Sequence, residues 1–321
     1  MTVFLDNILV GVLDRFLPET YPIKNDKCQE SKEILDDPQL ALAMRQGTKV
    51  VHRAAENSVF TRRFLKGDIT KDEYGQYLRS LYFVYKAMEG LLEKHKGDPA
   101  IATIYFPDEL NREQALLDDL SYFYGQEKLA QVTHLDTMTP AVIRYIQAME
   151  KACTIDPTLL VSHSYTRYLG DLSGGQILAK RLKKHILHLD KEDSSWDSRI
   201  GLDFYHFNNI SHQNEFKSMY RQQLDQVPVT ARTKDLVVAE AVQCLELNIA
   251  LFDEIQAMSD SNQLERTDCI NTTNDSVDSN STDDSRWARL LKSKKPLYAW
   301  TTGLATITAL TYVIYLRRKR N

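Results

Sequence analysis

A glycine-rich stretch inside a helical pattern is the first feature that could form a functional site. The segment GDLSGG, residues 170–175, holds three of the chain's 12 glycines. Each glycine inside a helix costs about 1 kcal/mol relative to alanine, so such a run needs a reason. Gly170 and Gly174 share one helix face, where bare backbone lets a flat group approach closely. Close packing against a second helix is the alternative. Gly175 favours a kink, and the polar Asp171 favours a small-molecule site.

Two further pairs show the same four-residue spacing. His52 precedes Glu56 by four positions, so the carboxylate can fix the tautomer of the imidazole, as carboxylates do for metal-bound histidines. Lys217 and Arg221 form a cationic pair that suits a clamp for carboxylates. An ordinary histidine and a solvated basic surface are the alternatives. Together the three features indicate a flat, doubly anionic ligand with a metal, and haem (heme) has a porphyrin plane, an axial position and two propionates.

The composition narrows the class of protein. The chain has 321 residues with only 12 glycines and 9 prolines, which disfavours sandwiches and barrels with many tight turns. A net charge of −4 and a pI of about 6.1 argue against nucleic acid as a partner. The four cysteines form no CxxC pair, which excludes a disulfide scaffold and a zinc knuckle; they are Cys28, Cys153, Cys244 and Cys269.

Helical periodicity organises the body of the chain. Apolar residues recur with a 3.6-residue period nearly throughout residues 38–258. We therefore predict an all-α fold, with about seven to nine helices in a single multi-helix domain at 38–258, after an N-terminal extension at 1–37. Thr139-Pro140 and Asp156-Pro157 are typical helix starts, because a capping residue precedes proline at the first helical position.

The C-terminal part of the chain has a different character. Residues 259–292 begin as an acidic stretch rich in Ser, Thr, Asn and Asp, which predicts a disordered linker, and end in a basic juxtamembrane segment. Residues 297–316 carry no charge and are long enough to cross a bilayer as a helix, with basic residues on both sides. A single terminal span without a signal peptide predicts a transmembrane tail anchor, with the bulk of the chain in the cytosol.

The sequence around the glycines resembles that of a known family. YTRYLGDLSGGQILAK, residues 165–180, is similar to the signature of haem oxygenases of the animal type. The similarity covers about residues 40–258 and continues in order through the segments KVVHRAAENSVF, SLYFVYKAMEG, YFPDELNR, FKSMYRQQL and LNIALFDEI. The resemblance implies an enzyme for which haem is both substrate and cofactor, and which opens the ring to biliverdin with release of carbon monoxide and ferrous iron.

The resemblance also implies partners and a location. Electrons would come from NADPH through cytochrome P450 reductase, dioxygen would be the second substrate, and biliverdin reductase would take the product. The anchor would lie in the endoplasmic reticulum membrane with the catalytic domain facing the cytosol. The implied roles are haem catabolism and iron recycling.

Individual residues receive roles from the same resemblance. His52 matches the proximal iron ligand, and Glu56 matches its hydrogen-bond partner. Gly170 and Gly174 match distal glycines that contact haem and its bound oxygen, and Asp171 matches the carboxylate that orders catalytic water. The implied haem-binding residues, chiefly propionate contacts, are Arg45, Tyr165, Lys217, Arg221 and Gly175. The implied members of the distal polar network are Tyr85, Arg167 and Asn248.

The sequence departs from the family pattern at two site positions, and other functions and other iron ligands are also possible explanations of its features. Arg45 stands where close relatives carry lysine, and Leu245 replaces an aromatic residue of the distal wall. A non-catalytic haem sensor of the same fold and a membrane-tethered interaction protein without haem are the competing functions. The alternative iron ligands are His163, His185 and His188. His163 lies on the same helix as the glycines, so it is poorly placed to bind iron from the opposite face of the haem.

Overall fold

Helices make up the part of the chain that the computed structural model describes, residues 33–189 and 194–267. Within these ranges the β-type pairing is one isolated bridge between Ile34 and Thr230, so the predicted all-α fold is confirmed there. The helices are α1 (Leu40–Gly47), α2 (Lys49–Glu56), α3 (Val59–Lys66), α4 (Lys71–Lys94), α5 (Pro99–Ile104), α6 (Pro107–Leu110), α7 (Glu113–Tyr124), α8 (Gln126–Val132), α9 (Pro140–Ile155), α10 (Leu160–Gly170), α11 (Gln176–His185), α12 (Gln213–Leu224) and α13 (Ala231–Asp260).

Several of these helices are short, which is why the described residues hold more helices than predicted. Pro99 and Pro107 begin α5 and α6, which have six and four residues. Proline fits the first position of a helix but cannot continue one, so each proline starts a new element. The predicted start at Thr139-Pro140 is confirmed, since α9 begins at Pro140. Asp156-Pro157 instead opens a 3₁₀ turn that leads directly into α10.

The long helix α4 is the centre of the fold. It starts with a capping box, in which Thr70 Oγ1 accepts the N–H of Glu73 at 3.1 Å and Glu73 Oε2 accepts the N–H of Thr70 at 2.7 Å. It packs against α7, α9 and α13. Its fully buried side chains include Tyr74, Leu78, Leu81, Tyr85 and Met88. Because burial of one such side chain is worth about 1.5–3 kcal/mol, α4 is a firm base for the groups it carries.

The remaining helices hold the predicted site residues around this base. α2, which carries His52, packs against α13. α12, which carries Lys217 and Arg221, packs against α1 and α5. α10 packs against α13 and α4, and a π-helical turn at Asp171–Gly175 joins it to α11. Each predicted site residue therefore lies on a helix that is fixed by tertiary packing.

The chain continues in ordered form past the predicted end of the domain at 258. α13 extends to Asp260, and Asn262 adopts a left-handed conformation with φ 52° that reverses the chain. Residues 261–267 then run along α4, and we call them the C-terminal strap. The predicted linker at 259–292 therefore begins with packed residues, and its remainder lies outside the described residues.

Polar contacts hold the C-terminal strap against the first turns of α4. Asp72 Oδ1 accepts the N–H of Thr267 at 2.7 Å and its hydroxyl at 2.9 Å. Arg79, which is buried, donates from Nη1 to Glu265 Oε2 at 3.1 Å. Gly75 leaves the room that the strap needs, since a Cβ there would lie 2.7 Å from Thr267 Cγ2. These groups recur every three or four residues, so one face of α4 receives the strap.

Both chain ends beyond the described ranges remain predictions. The N-terminal extension at 1–37 lies largely outside them, as do the basic juxtamembrane segment and the anchor at 297–316. Among the helices of residues 33–189 and 194–267, none has both the length and the apolar composition that a bilayer crossing requires.

Candidate active site

His52 and Glu56 form the pair that their spacing predicts. His52 Nδ1 lies 3.4 Å from Glu56 Oε1, within one helix, α2. The imidazole is 60% exposed. Because Glu56 faces Nδ1, the Nε2 nitrogen is the one that the pair presents to an external ligand.

Gly170 and Gly174 form an open face where α10 meets the π-helical turn. Apart from its chain neighbours and the backbone of its own helix, a Cβ built on Gly170 or Gly174 would meet no heavy atom of the described residues within 4 Å. Close helix packing, the alternative explanation for these glycines, therefore finds no partner in the described residues. Gly175 differs, because it is buried and its Cβ would lie 3.5 Å from the Tyr205 ring. The structure therefore places Gly175 toward the interior and apart from the open face formed by the other two.

The glycine stretch interrupts the α-helical hydrogen-bonding pattern with a π-helical turn, where the sequence predicts a kink. Residues Asp171–Gly175 adopt π geometry between two α-helical segments. Such a turn adds one residue to the helical path. These turns are rare and often occur at functional sites. Gln176 bonds across this turn: its Nε2 donates to the Asp171 carbonyl at 3.2 Å and to the Tyr205 carbonyl at 3.0 Å. Side-chain bonds therefore support the local distortion.

Asp171 is the centre of a buried polar network. Its carboxylate accepts the hydroxyl of Tyr85 from α4, and Arg167 Nη2 lies 3.7 Å from Asp171 Oδ1. Arg167 Nη1 donates to Asn248 Oδ1 on α13 at 2.6 Å, and Arg167 Nε donates to the Tyr85 hydroxyl at 3.3 Å. Arg167 therefore connects Asp171 with Tyr85 and Asn248, the other residues that the resemblance assigns to the distal network.

Burial and neighbouring charge have opposite effects on the pKa of the Asp171 carboxyl. Burial raises the pKa of the Asp171 carboxyl, while the charge of Arg167 and the hydrogen bond from Tyr85 lower it, and the net direction is upward. Asp171 is only 6% exposed and lies one residue from Gly170. A carboxyl group whose proton affinity is raised in this way can order water and pass protons at the open glycine face.

A second buried carboxylate, Glu89, has no role that spacing or motif predicts. Glu89 Oε1 accepts the N–H of Arg112 at 2.6 Å, and Oε2 accepts the N–H of Glu113 at 3.2 Å. Burial raises the pKa of Glu89 to about 7, although both backbone bonds lower it. The charge of Arg112 also lowers the pKa of Asp171. Glu89 and Arg112 lie in the segments SLYFVYKAMEG and YFPDELNR, for which family resemblance was the signal available.

Lys217 lies against the π-helical turn. Its Nζ donates to the carbonyl of Leu172 at 3.1 Å and lies 3.5 Å from Ser173 Oγ. Arg221, one turn further along α12, donates from Nη1 to the Lys217 carbonyl at 3.3 Å. Lys217 therefore lies beside the glycine stretch, and the exposed Arg221 lies one helical turn away from it.

Tyr165 and Arg45 belong to the same basic group. Burial raises the pKa of the Tyr165 hydroxyl, whereas Arg221 lowers it by charge and hydrogen bonding and Arg45 lowers it by charge. Asp225 raises it and also caps α1, since its Oδ1 accepts the N–H of Ala41 at 3.0 Å. The four residues predicted to contact carboxylates, Arg45, Tyr165, Lys217 and Arg221, therefore come together from α1, α10 and α12.

The alternative histidines are less suited to an external ligand. His163 is fully buried, and its Nε2 lies 2.9 Å from Glu240 Oε1. His185 packs on Gly67, where a Cβ would lie 2.3 Å from the imidazole Cγ. His188 follows α11 in a left-handed turn with φ 55°.

The chemistry of the donor set fits haem. One helix presents an exposed imidazole nitrogen with a carboxylate behind it, which is the arrangement of an axial iron ligand. The two glycines leave an open backbone face that a flat ring can approach. A group of three cations and a tyrosine is suited to carboxylates such as propionates. No residue of this set requires a different ligand.

Comparison with known proteins agrees with this geometry. The family model for heme oxygenase matches residues 38–254. The chain is 40% identical over 219 residues to "Heme oxygenase 1" of Homo sapiens, which covers 68% of this chain and 72% of that protein. It is 40% identical over 217 residues to "Heme oxygenase 1" of Nostoc, which covers 68% of this chain and 86% of that protein. The similarity is therefore not confined to the animal type.

Solved structures show the same fold. Heme oxygenase-1 from the cyanobacterium Synechocystis, solved in complex with heme, matches with a TM-score of 0.62 and 38% identity, over 70% of this chain and 95% of that chain. The heme oxygenase of Leptospira interrogans matches with a TM-score of 0.60 and 41% identity, over 67% of this chain and 99% of that chain. On the matched sequence, the shared fold and the assembled site, the chain belongs to the heme oxygenase family.

Proposed function

We propose that this chain is a heme oxygenase that holds haem with His52 of α2 and the open glycine face of α10. The activity is oxidative cleavage of haem to biliverdin, carbon monoxide and ferrous iron. The observation that carries the proposal is the position of Asp171, a buried carboxylate held by Tyr85 and Arg167 directly beside Gly170. A protein that merely stores haem has no use for a carboxylate with raised proton affinity at an open backbone face.

The proximal side of the site would be built by α2. His52 Nε2 would bind the haem iron, and Glu56 would hold the imidazole in one tautomer through Nδ1. Bound haem supplies the iron at which dioxygen is activated. The protein supplies the orientation and the protons.

The distal side would act by shape and proton delivery. Because Gly170 and Gly174 have no side chains, their backbone would be open to the haem ring. Asp171 would order water there and pass a proton through it, while Tyr85 and Arg167 hold the carboxylate in place. No side-chain acid needs to touch the reacting atoms directly.

Ring orientation would depend on the basic group. Lys217 and Arg221 would bind the propionates, with Arg45 and Tyr165 beside them. Arg45 keeps the positive charge of the lysine found in close relatives. By holding the propionates, these residues would orient the ring and so select the position at which it is cleaved.

The proposal also includes partners and a location in the cell, which involve residues outside the described ranges. NADPH–cytochrome P450 reductase would deliver electrons, dioxygen would be the co-substrate, and biliverdin reductase would receive the product. The uncharged stretch at 297–316 between basic segments supports a tail anchor in the endoplasmic reticulum membrane, with the catalytic domain on the cytosolic side. Nucleic acid has no place in this function, in keeping with the net charge of −4.

The test is turnover by the full chain loaded with hemin and supplied with NADPH and cytochrome P450 reductase, with His52→Ala alongside. Loss of the Soret absorption with growth of biliverdin absorption, dependent on His52, supports the oxygenase. A stable Soret band without product would indicate the non-catalytic haem sensor of the same fold. Absence of any Soret band would reject the haem site itself.

A further inference from the structure

Two buried serines of α10 form hydrogen bonds to two different helices. Ser162 Oγ donates to the carbonyl of Val237 on α13 at 2.7 Å. Ser164 Oγ lies 2.7 Å from the hydroxyl of Tyr220 on α12, and either hydroxyl can be the donor. Both serines and the tyrosine are fully buried. The first bond joins α10 to a helix against which it packs, whereas the second reaches the helix that carries two of the predicted propionate contacts.

Side-chain hydrogen bonds connect α12 to α10 and to the π-helical turn. Tyr220 reaches Ser164, and Lys217 donates from Nζ to the carbonyl of Leu172 at 3.1 Å. Lys217 is half-buried, and a bound carboxylate would compete with that carbonyl for its ammonium group. The two buried hydroxyls, in contrast, already satisfy each other. Their bond is therefore a link between the helices that a carboxylate ligand leaves intact.

The ring of Tyr220 is held so that its hydroxyl has a fixed reach. Its centroid lies 6.0 Å from that of Phe106, the residue before α6, and 6.3 Å from that of Phe216, one turn earlier on α12. Because the phenol ring is rigid and closely packed, the side chain has little freedom to move. A buried hydroxyl also needs a hydrogen-bond partner, which Ser164 provides. The length of one tyrosine therefore sets the separation of α10 and α12 at this level.

The bond lies beside the residues predicted to contact carboxylates. Tyr165 follows Ser164 on α10, and Arg221 follows Tyr220 on α12, with Lys217 one turn before it. Neighbouring residues of a helix move together, so the separation of Tyr165 from Arg221 follows that of the two bonded hydroxyls. Charge-assisted hydrogen bonds to a carboxylate depend strongly on geometry. The bond is therefore placed to control how well these groups meet a ligand.

We propose that Ser164 and Tyr220 are positioning residues for haem: their hydrogen bond fixes the separation of α10 and α12, and so places Lys217 and Arg221 for the propionates. The inference rests on the proposed function, since it takes haem as the ligand. Both hydroxyls are buried and occupied by each other, so they act through the two cations. Without either hydroxyl, α12 can shift relative to α10, and the cations meet the carboxylates in poorer geometry.

The variants Ser164→Ala and Tyr220→Phe each remove one partner of the bond. Tyr220→Phe keeps the ring that packs on Phe106, so it provides a second test if Ser164→Ala fails to fold. Ser162→Ala is the matched control. It removes a hydroxyl of the same type and burial from the same helix, but its bond leads to α13 instead of α12.

The dissociation constants of hemin and of hemin dimethyl ester, in which both propionates are uncharged, measure the effect. Optical titration of the full chain gives both values in the same buffer. A hydrogen bond cannot contribute more to binding than its own net strength, so Ser164→Ala and Tyr220→Phe should each weaken hemin binding about two- to tenfold. Binding of the dimethyl ester should change by less than about twofold. Ser162→Ala should leave both dissociation constants within about twofold of the wild type.

Turnover provides a second readout that a general loss of structure would not give. In Ser164→Ala and Tyr220→Phe, KM for haem should rise by the same factor as the hemin dissociation constant. The value of kcat should stay within about twofold, because Asp171 and its partners are untouched. A lower kcat with an unchanged KM would contradict the proposal.

Unfolding of the haem-free full chain by denaturant tests the bond itself. The double variant Ser164→Ala/Tyr220→Phe should be less destabilised than the sum of the two single variants, because the same bond is lost only once. Additive losses would show that the two hydroxyls do not interact and would overturn the proposal.

The binding results separate a positioning role from a structural one. Equal weakening of hemin and its dimethyl ester, the same loss in Ser162→Ala, or wild-type hemin affinity in both test variants would each overturn the proposal. A wild-type chain that prefers hemin to the ester but forms no biliverdin would instead reject the proposed function, and the dissociation constants would still test the placement of the cations. A wild-type chain without this preference would overturn the proposal directly.

Discussion

Arg167 joins α10 to α13 through Asn248, whose Oδ1 accepts from Nη1 at 2.6 Å. The same guanidinium lies 3.7 Å from Asp171 and donates to Tyr85, so one buried cation organises groups from three helices. A buried charge is stable only when its partners are fixed, and here each partner sits on a packed helix. The geometry of the distal carboxylate is therefore set by tertiary structure rather than by local sequence.

Replacement of Asp171 tests the distal carboxylate. Asp171→Ala should leave haem binding within about twofold of the wild type, because the iron ligand and the propionate contacts remain. Biliverdin formation should fall by about 10²-fold, the size of a lost proton-transfer group. Haem titration and the yield of biliverdin per haem consumed measure the two effects.

Asp171→Asn is the control for shape, since it keeps the side-chain volume and removes the charge. It should lose turnover to a similar extent. An unchanged biliverdin yield in either variant would remove Asp171 from the reaction.

The basic group is tested by charge reversal at Arg221. Arg221→Glu places an anion beside Tyr165 and Lys217, where carboxylates of the ligand are expected. The ring should then rotate, and the product should contain more than one biliverdin isomer. Chromatographic separation of the isomers measures the change. Arg144→Glu, at an exposed cation on α9, is the matched control. A single native isomer from Arg221→Glu would show that ring orientation is set elsewhere.

The axial ligand is tested by removal and chemical rescue. His52→Ala should change the optical spectrum of bound haem and abolish biliverdin formation, and added imidazole should restore part of the spectrum. His185→Ala, which removes a histidine on α11, should behave as the wild type. If the His52→Ala complex kept the wild-type spectrum, the ligand would have to be another histidine.

Glu89 should make the stability of the fold depend on pH. Its folded pKa is about 7, above the ordinary value of 4.5, because it is buried. The folded state therefore binds the proton more tightly, so the favourable contribution is complete below pH 4.5 and is lost as the pH rises through 7. The unfolding free energy of the wild type minus that of Glu89→Gln should fall across this window by up to about 3 kcal/mol. Denaturant unfolding at a series of pH values measures it, and a constant difference would contradict the assignment.

The C-terminal strap should stabilise the body. A chain that ends at residue 260 loses the bonds of Thr267 to Asp72 and leaves the buried Arg79 without Glu265. Its unfolding free energy should be lower than that of a chain ending at 267 by about 1–3 kcal/mol. In an Arg79→Met background the same truncation should cost less, because no buried charge is left unpaired. An equal cost in both backgrounds would mean that the ion pair contributes nothing.

Local features of the site could be predicted from spacing. His52 with Glu56, and Lys217 with Arg221, are four residues apart, and one helical turn brings such residues together wherever the helix lies in the fold. An irregularity at the glycines was also predictable, since helix propensity depends on residue type, although its π-helical form was not. The all-α class followed from periodicity for the same reason.

Long-range contacts could not be predicted in this way. Tyr85 and Asp171 are 86 residues apart, and Cys244 and Tyr145 are 99 apart. Periodicity carries no information on which helices become neighbours, so the first pair depended on family resemblance and the second was not anticipated. The orientation of Gly175 toward Tyr205 could not be predicted either. Residue spacing assigns helix faces on the assumption of α-helical geometry, and the π-helical turn changes which face a residue occupies.

The π-helical turn makes this joint sensitive to chain length. It adds one residue to the helical path, which rotates everything after it by about 100° relative to an uninterrupted α-helix. The fully buried Leu182 of α11 faces the interior in the register that this extra residue creates. A one-residue deletion between 171 and 175 would allow a regular helix but turn that leucine out of the core. Substitutions there change the lining of the site, whereas a change in length would prevent α10 and α11 from both keeping their buried faces toward the core.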